Sequence, residues 1–355
     1  MSANSLAGAA GLSTAVRLHA LQSRGLATFI RSEHQLLRRY WDHWLARMEN
    51  RVIERVLLGR IKRCFTHLDD PRQLEVMLHR MREAYLSGKA STLQMSPPRV
   101  GKLNPVADIP AQAAWLRGEK QHPGLLIYTA GGGFMLPPST AQIACAKRLA
   151  ELAETDAVLN YHAMSPEAPY PAAIDDTVAL YIWALDQYGP GNIVLAADTA
   201  GASVTMGALL TLRELGYCLP AAVQLFSPWN DLSLSGWSYI TKSASADSPF
   251  RMETAAFCVR AYLGSTPVTE PKASAIYADL AALPPIAIHT SRYDMHFDDA
   301  LRVVEKISDA GGHAEIRYWD SPRHHLERFA SDEATKSLTV AAAFLARHLN
   351  VRGVG

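Results

Sequence analysis

The chain has 355 residues, 48% apolar and 19% charged, with a formal net charge of +1 at pH 7. That composition supports a large buried core and excludes an intrinsically disordered chain. The charge balance gives no electrostatic footprint for nucleic acid or an anionic membrane, and no run approaches the 18 apolar residues of a membrane span.

Residues 1–15 are small and polar and carry no secretory pattern of basic residues followed by an apolar run. From Val16 to Leu86, apolar residues recur at helical spacing, as in Leu36, Leu37, Tyr40, Trp41 and Trp44. This predicts a basic helical cap or dimerisation region, ending in a Ser/Pro/Gly connector over 87–104. The region 1–100 is thus separated from a core over 101–355. Within the core, apolar runs alternate with amphipathic helices. GLLIYTA, DAVLNYHA, NIVLAAD, AAVQLFSP, PPIAIHTS and HAEIRYWD read as strands. Near-continuous apolar strands separated by helices predict an α/β fold with a mostly parallel sheet covered on both faces. An irregular insert at about 232–264 contains Trp237, Tyr239, Phe250 and Phe257, which serve either as cap core or as a surface toward an apolar ligand. Four scattered cysteines, Cys64, Cys145, Cys218 and Cys258, show neither disulfide nor zinc spacing and read as free buried thiols. No metal ligand set, phosphate loop or dinucleotide fingerprint appears, so no cofactor and no metal are expected. A cytoplasmic protein is expected.

Strand NIVLA runs into Ala197-Asp198-Thr199-Ala200-Gly201, and a helix follows at once. A hydroxyl between small residues on a strand-to-helix turn is the pattern of a nucleophile elbow. Three other blocks surround it in chain order: Ala130-Gly131-Gly132-Gly133-Phe134, the segment from Ser165 to Ala173 (SPEAPYPAA), and Ser227-Pro228-Trp229-Asn230-Asp231.

Together these blocks resemble the hormone-sensitive-lipase-like (family IV) α/β-hydrolases, from about Pro123 to Leu349. The resemblance implies an α/β-hydrolase fold with a helical cap. It implies catalytic Thr199, His324 and Asp294, and an oxyanion hole from the N–H groups of Gly132, Gly133 and Ala200. His324 precedes Phe329 in the loop after HAEIRYWD, and its neighbour His325 is a rival for the role. Asp294 opens Asp294-Met295-His296-Phe297-Asp298, similar to the family's Asp-x-Leu-x-Asp; Asp298 reads as a helix N-terminal charge. Ser203, one turn after Thr199, reads as a packed helical hydroxyl. His162 receives no catalytic role.

The chain departs from the family pattern at three places in the site, of which Ala197, in place of the first elbow Gly, is a small and tolerable change. Thr199 stands where the family has Ser, with a β-branched methyl on a turn that such residues resist. Ala130 stands where the family has the His that helps orient the glycine loop. Acid and base are kept while the nucleophile is hindered. The first reading is therefore acid–base chemistry beside the carbonyl of a hydrophobic small molecule: elimination or dehydration, cyclisation or condensation, as in secondary metabolism. The alternatives are a carboxylesterase with a Thr nucleophile and a non-catalytic small-molecule-binding protein. The long N-terminal helices point toward a homodimer; the sequence leaves the oligomeric state and the substrate open.

Overall fold

The computed structural model describes residues 104–105, 112–116, 122–243 and 252–350. All of them fall within the unit Lys62–Gly355. The helical region expected over 1–100, and with it Cys64, lies outside the described residues, as does Phe250.

Six parallel strands form the frame: β3 (Leu125–Thr129), β4 (Asp156–Asn160), β5 (Ile193–Asp198), β6 (Ala222–Phe226), β7 (Ile286–Ser291) and β8 (Ala314–Trp319). All but β8 are buried at every position, which is why their sequences read as unbroken apolar runs rather than alternations. β8 is the edge strand, and its half-exposed pattern admits Glu315 and Arg317. Two short strands, β1 (Asn104–Pro105) and β2 (Ala113–Trp115), extend the sheet antiparallel beyond β4, giving the order β1-β2-β4-β3-β5-β6-β7-β8. The sequence pattern does not reveal them, because two or three residues are too few to display a period.

Helices cover both faces. α1 (Thr140–Ala153) packs with α7 (Asp332–His348) over Leu126, Tyr128, Ala157, Leu159, Val194 and Ala196. α2 (Ala172–Tyr188) packs with α3 (Ala200–Glu214) on the other side. The period-two alternation of the strands thus splits one apolar run into two cores. The insert supplies α4 (Trp237–Ser243) and α5 (Met252–Leu263), and α6 (Phe297–Asp309) follows β7. Tyr239 and Phe257 are fully buried core residues, whereas Trp237 is exposed. Cys145 and Cys258 are buried free thiols, but Cys218, in the turn after α3, is exposed. Among the described residues, no helix is long and apolar enough to cross a membrane.

The elbow, the glycine loop and the loops after β7 and β8 all leave the carboxyl ends of parallel strands, where sites in open α/β sheets form. The loop after β8 is held from below by Glu327. Ser337 Oγ on α7 donates to Glu327 Oε1, and Ser337 Oγ lies 2.7 Å from His289 Nδ1 on β7. Burial lowers His289 to about 3, so it brings no positive charge to Glu327. Burial therefore pushes the Glu327 carboxyl up to about 7, and the folded protein holds it protonated in mild acid. A carboxyl raised on folding contributes stability that is complete below its unfolded value and is lost as pH rises through the folded one. Glu327→Gln keeps a neutral side chain at every pH. Chemical denaturation from about pH 5 to about pH 8 is expected to show the wild type losing ground to Glu327→Gln, on the order of 3 kcal/mol at the limit. A pH-independent difference contradicts this.

Candidate active site

Thr199 occupies the turn between β5 and α3 with φ 50° and ψ −119°, a conformation that a β-branched residue adopts only under constraint. The constraint is visible. Thr199 N donates to Phe226 O at 3.1 Å, and Trp229 N donates to Thr199 O at 3.0 Å, so the end of β6 clamps the turn on both sides. Gly201 meets the end of β3 so closely that an added Cβ would sit 2.2 Å from Thr129 O. A Cβ on Gly131 would lie 2.7 Å from Asp198 O and 2.8 Å from Thr199 Cβ. Only glycine permits these two approaches, and they press the glycine loop onto the elbow.

Thr199 is the N-cap of α3, yet its hydroxyl makes no capping bond. Its Oγ1 lies 2.8 Å from His324 Nε2 instead. His324 Nδ1 is 2.8 Å from Asp294 Oδ2. With Nδ1–H donated to the carboxylate, Nε2 is the acceptor facing the hydroxyl. The structure thus brings Thr199, His324 and Asp294 into one line. Asp294 is buried, and burial alone would raise its carboxyl. The His324 charge and the hydrogen bonds of His296 and His324 hold it well below the usual carboxylate range.

His325 does not share this line. It is fully buried, stacked on Phe226, with Nδ1 3.2 Å from Asp198 Oδ2 on the far side of the elbow. Its backbone N–H donates to Ser227 Oγ at 3.1 Å, which ties the His324 loop to the end of β6. Burial disfavours its charged form, and Asp198 opposes that only in part. Ser203 is buried in α3 with Oγ donating to Trp229 O, which makes it a packing hydroxyl. Asp298 stands in the first turn of α6 and accepts from Ser238 N at 2.9 Å.

The second imidazole on Asp294 is one the sequence pattern passed over. His296, where the family motif has an apolar residue, is fully buried with Nδ1 3.2 Å from Asp294 Oδ1, and its N–H reaches the same oxygen at 3.0 Å. Asp294, His296 and His324 offer donor atoms within 4.8 Å of one another, the geometry of a three-ligand cation site. The two carboxylate–imidazole hydrogen bonds account for the same geometry.

Among the described residues, the N–H groups of Gly132, Gly133 and Ala200 donate to no other protein group. Ala200 opens α3, so its N–H belongs to the positive end of the helix. Phe134 ends the glycine loop by stacking on Tyr262 of α5 at 3.9 Å and packing against Trp229 at 5.6 Å. Tyr170 meets the same Tyr262 ring edge-on, which joins the segment 165–173 to the insert. Asp299 Oδ2 accepts from Asn230 N, Asp231 N and Tyr239 OH, each at 2.8 Å, and so fastens the segment 227–231 to α6. The four sequence blocks therefore converge as one packed unit. A cavity of about 500 Å³ opens beside the glycine loop, lined by Met135, Pro137, His162, Met164, Glu167 and Ala168 among others, a size suited to a small organic ligand. His162 belongs to this wall and not to the line of Thr199.

A doubly wound sheet with a strained hydroxyl elbow, a glycine loop and an aligned imidazole–carboxylate pair defines an α/β-hydrolase architecture. Comparison with known proteins agrees. The family described as alpha/beta hydrolase fold matches residues 126–327. The chain is 32% identical over 238 residues to an acetyl-hydrolase of Streptomyces hygroscopicus, covering 66% of this chain and 79% of that one. It is 26% identical over 251 residues to an esterase of Acinetobacter venetianus, covering 68% and 82%. The crystal structure of an esterase from the bacterial hormone-sensitive lipase family aligns at 27% identity with a TM-score of 0.66, over 83% of this chain and 97% of that one. The chain belongs to the α/β-hydrolase fold family, in its hormone-sensitive-lipase-like branch.

The close approach of the glycine loop to the elbow generates a prediction. Gly131→Ala is expected to lower stability by roughly 1–3 kcal/mol, since the methyl group would meet the Asp198 backbone oxygen, the Asp198 carboxylate and Thr199 Cβ, all held in place by the elbow. Thermal denaturation checks this, and an unchanged midpoint contradicts it.

Proposed function

We propose that this protein hydrolyses carboxylic esters, with Thr199 as the nucleophile, His324 as the general base and acid, and Asp294 as the group that orients and stabilises the imidazolium. The observation that carries the proposal is the aligned relay of two 2.8 Å contacts, Thr199 Oγ1 to His324 Nε2 and His324 Nδ1 to Asp294 Oδ2. Attack of Oγ1 on an ester carbonyl sends the hydroxyl proton to Nε2, and the same proton then leaves with the alcohol. The N–H groups of Gly132, Gly133 and Ala200 face the developing oxyanion, each donor contributing about 3 kcal/mol in such chemistry. Water then attacks the acyl-Thr199 ester, with His324 again taking the proton. The relatives named as an acetyl-hydrolase and an esterase support short acyl esters as the substrate class.

The methyl group of Thr199 is the feature that restrains this reaction. A secondary alcohol on a strained turn is a slower nucleophile than a primary one, and its acyl ester is harder for water to reach. The same acid–base pair could serve elimination or cyclisation beside a held carbonyl. The named relatives favour hydrolysis over that reading.

Short-chain p-nitrophenyl esters separate the two. Thr199→Ser is expected to raise kcat/KM about tenfold, the equivalent of ~1.4 kcal/mol of relieved crowding. Thr199→Ala and His324→Ala are each expected to lower kcat by roughly 10³-fold or more. Ester turnover that survives Thr199→Ala contradicts the assignment.

A further inference from the structure

The peptide that carries the first oxyanion donor is held by a residue outside every sequence block. Gln142 lies in the first turn of α1 and is 1% exposed. Its Oε1 accepts from Ser139 N at 2.9 Å and from Ser139 Oγ at 2.8 Å, which fixes which end of the amide is oxygen. Its Nε2 therefore donates, to Gly131 O at 3.0 Å and to Asp198 Oδ2 at 2.9 Å. Asp198 also receives Tyr128 OH at 2.9 Å and lies 3.3 Å from Thr199 Oγ1. One primary amide thus bridges the start of α1, the glycine loop and the carboxylate beside the nucleophile.

The bond to Gly131 O has a consequence beyond anchoring. The carbonyl of Gly131 and the N–H of Gly132 belong to the same planar trans peptide and point in opposite directions. Holding the oxygen toward Gln142 aims the Gly132 N–H away from it. The next peptide is fixed differently, because Gly132 O accepts from Met135 N at 3.2 Å and from Leu136 N at 3.0 Å within the loop itself. Between two glycines, the 131–132 peptide has little steric resistance to rotation. The methyl group of Ala130 adds no hydrogen bond.

We propose that Gln142 is the positioning residue that orients the Gly132 N–H and registers the glycine loop against the elbow. Its kinetic consequence rests on the ester-hydrolase reading; its structural consequence does not. Gln142→Met removes both polar ends at similar volume, and Gln142→Glu keeps the acceptor for Ser139 but sets a carboxylate against Asp198. Ser139→Ala removes the capping partner while leaving both Nε2 bonds.

The test pairs hydrogen exchange with kinetics in the full chain. In Gln142→Met, amides of residues 131–136 are expected to exchange faster, while those of β7 stay at the wild-type rate. On a short p-nitrophenyl ester, both Gln142 variants are expected to lose roughly 10²-fold in kcat with KM within about threefold. Ser139→Ala is expected to lower the melting temperature and to keep kcat within about threefold. A purely structural role predicts no such division, with kcat following stability in all three. Unchanged exchange over 131–136 in Gln142→Met overturns the proposal. If Gln142→Met does not fold, Gln142→Glu carries the same comparison. A wild type without ester turnover overturns the hydrolase reading and leaves the exchange result to decide the role of Gln142.

Discussion

The positive φ of Thr199 is the constraint around which the rest of the site is arranged. A β-branched residue at 50° is held there by bonds from both sides of its peptide to the end of β6, by the close approach of Gly131, and by α3 packing directly on the end of β3. Such strain costs on the order of 1–3 kcal/mol, and it persists only where the surroundings over-determine it. The result is a hydroxyl that leaves the capping role of its own helix and turns toward His324. The three segments that supply the clamp are also those that supply the glycine loop and the segment 227–231. Holding the elbow and assembling the site are therefore one structural event.

Buried carboxylates perform the fastening, each by a different balance. Asp294 and Asp198 are held low in pKa against the effect of burial, the first chiefly by its interaction with His324 and the second chiefly by its interaction with His325. Asp299 accepts three hydrogen bonds yet is raised, by burial first and then by Asp231. Glu327 is likewise raised by burial, with His289 held neutral beside it. These acids join loops that are far apart in the chain, so the site is tied together through polar bonds inside an otherwise apolar fold. Two of them flank Thr199. Asp294 is joined to it by way of His324, while Asp198 stands under the elbow with Gln142 and Tyr128.

The fold was legible because burial on both faces of a parallel sheet leaves unbroken apolar runs, and glycine-rich turns mark where they end. Each of the six strands read from the sequence is present within a few residues of its run, with helices between them. β1 and β2 escaped notice because they are too short for a pattern and depend on pairing with β4. Thr199, Asp294 and His324 could be singled out from strand ends and motif resemblance, but the distances between them are tertiary facts that no spacing contains. Gln142 belongs to none of the four sequence blocks, and nothing in its local sequence sets it apart. Its importance depends on a glycine carbonyl eleven positions earlier and an aspartate 56 positions later. His296 was hidden in the same way, because its partner is the very acid its motif was used to locate.

The central claim is that Thr199 itself forms a covalent acyl-enzyme through His324. The most direct measurement is mass spectrometry of the protein quenched during turnover of p-nitrophenyl acetate. An acetyl group is predicted on the peptide containing Thr199, absent from Thr199→Ala and from His324→Ala. Acetyl on another residue, or steady turnover with the Thr199 peptide unmodified and the same rate in Thr199→Ala, contradicts the account.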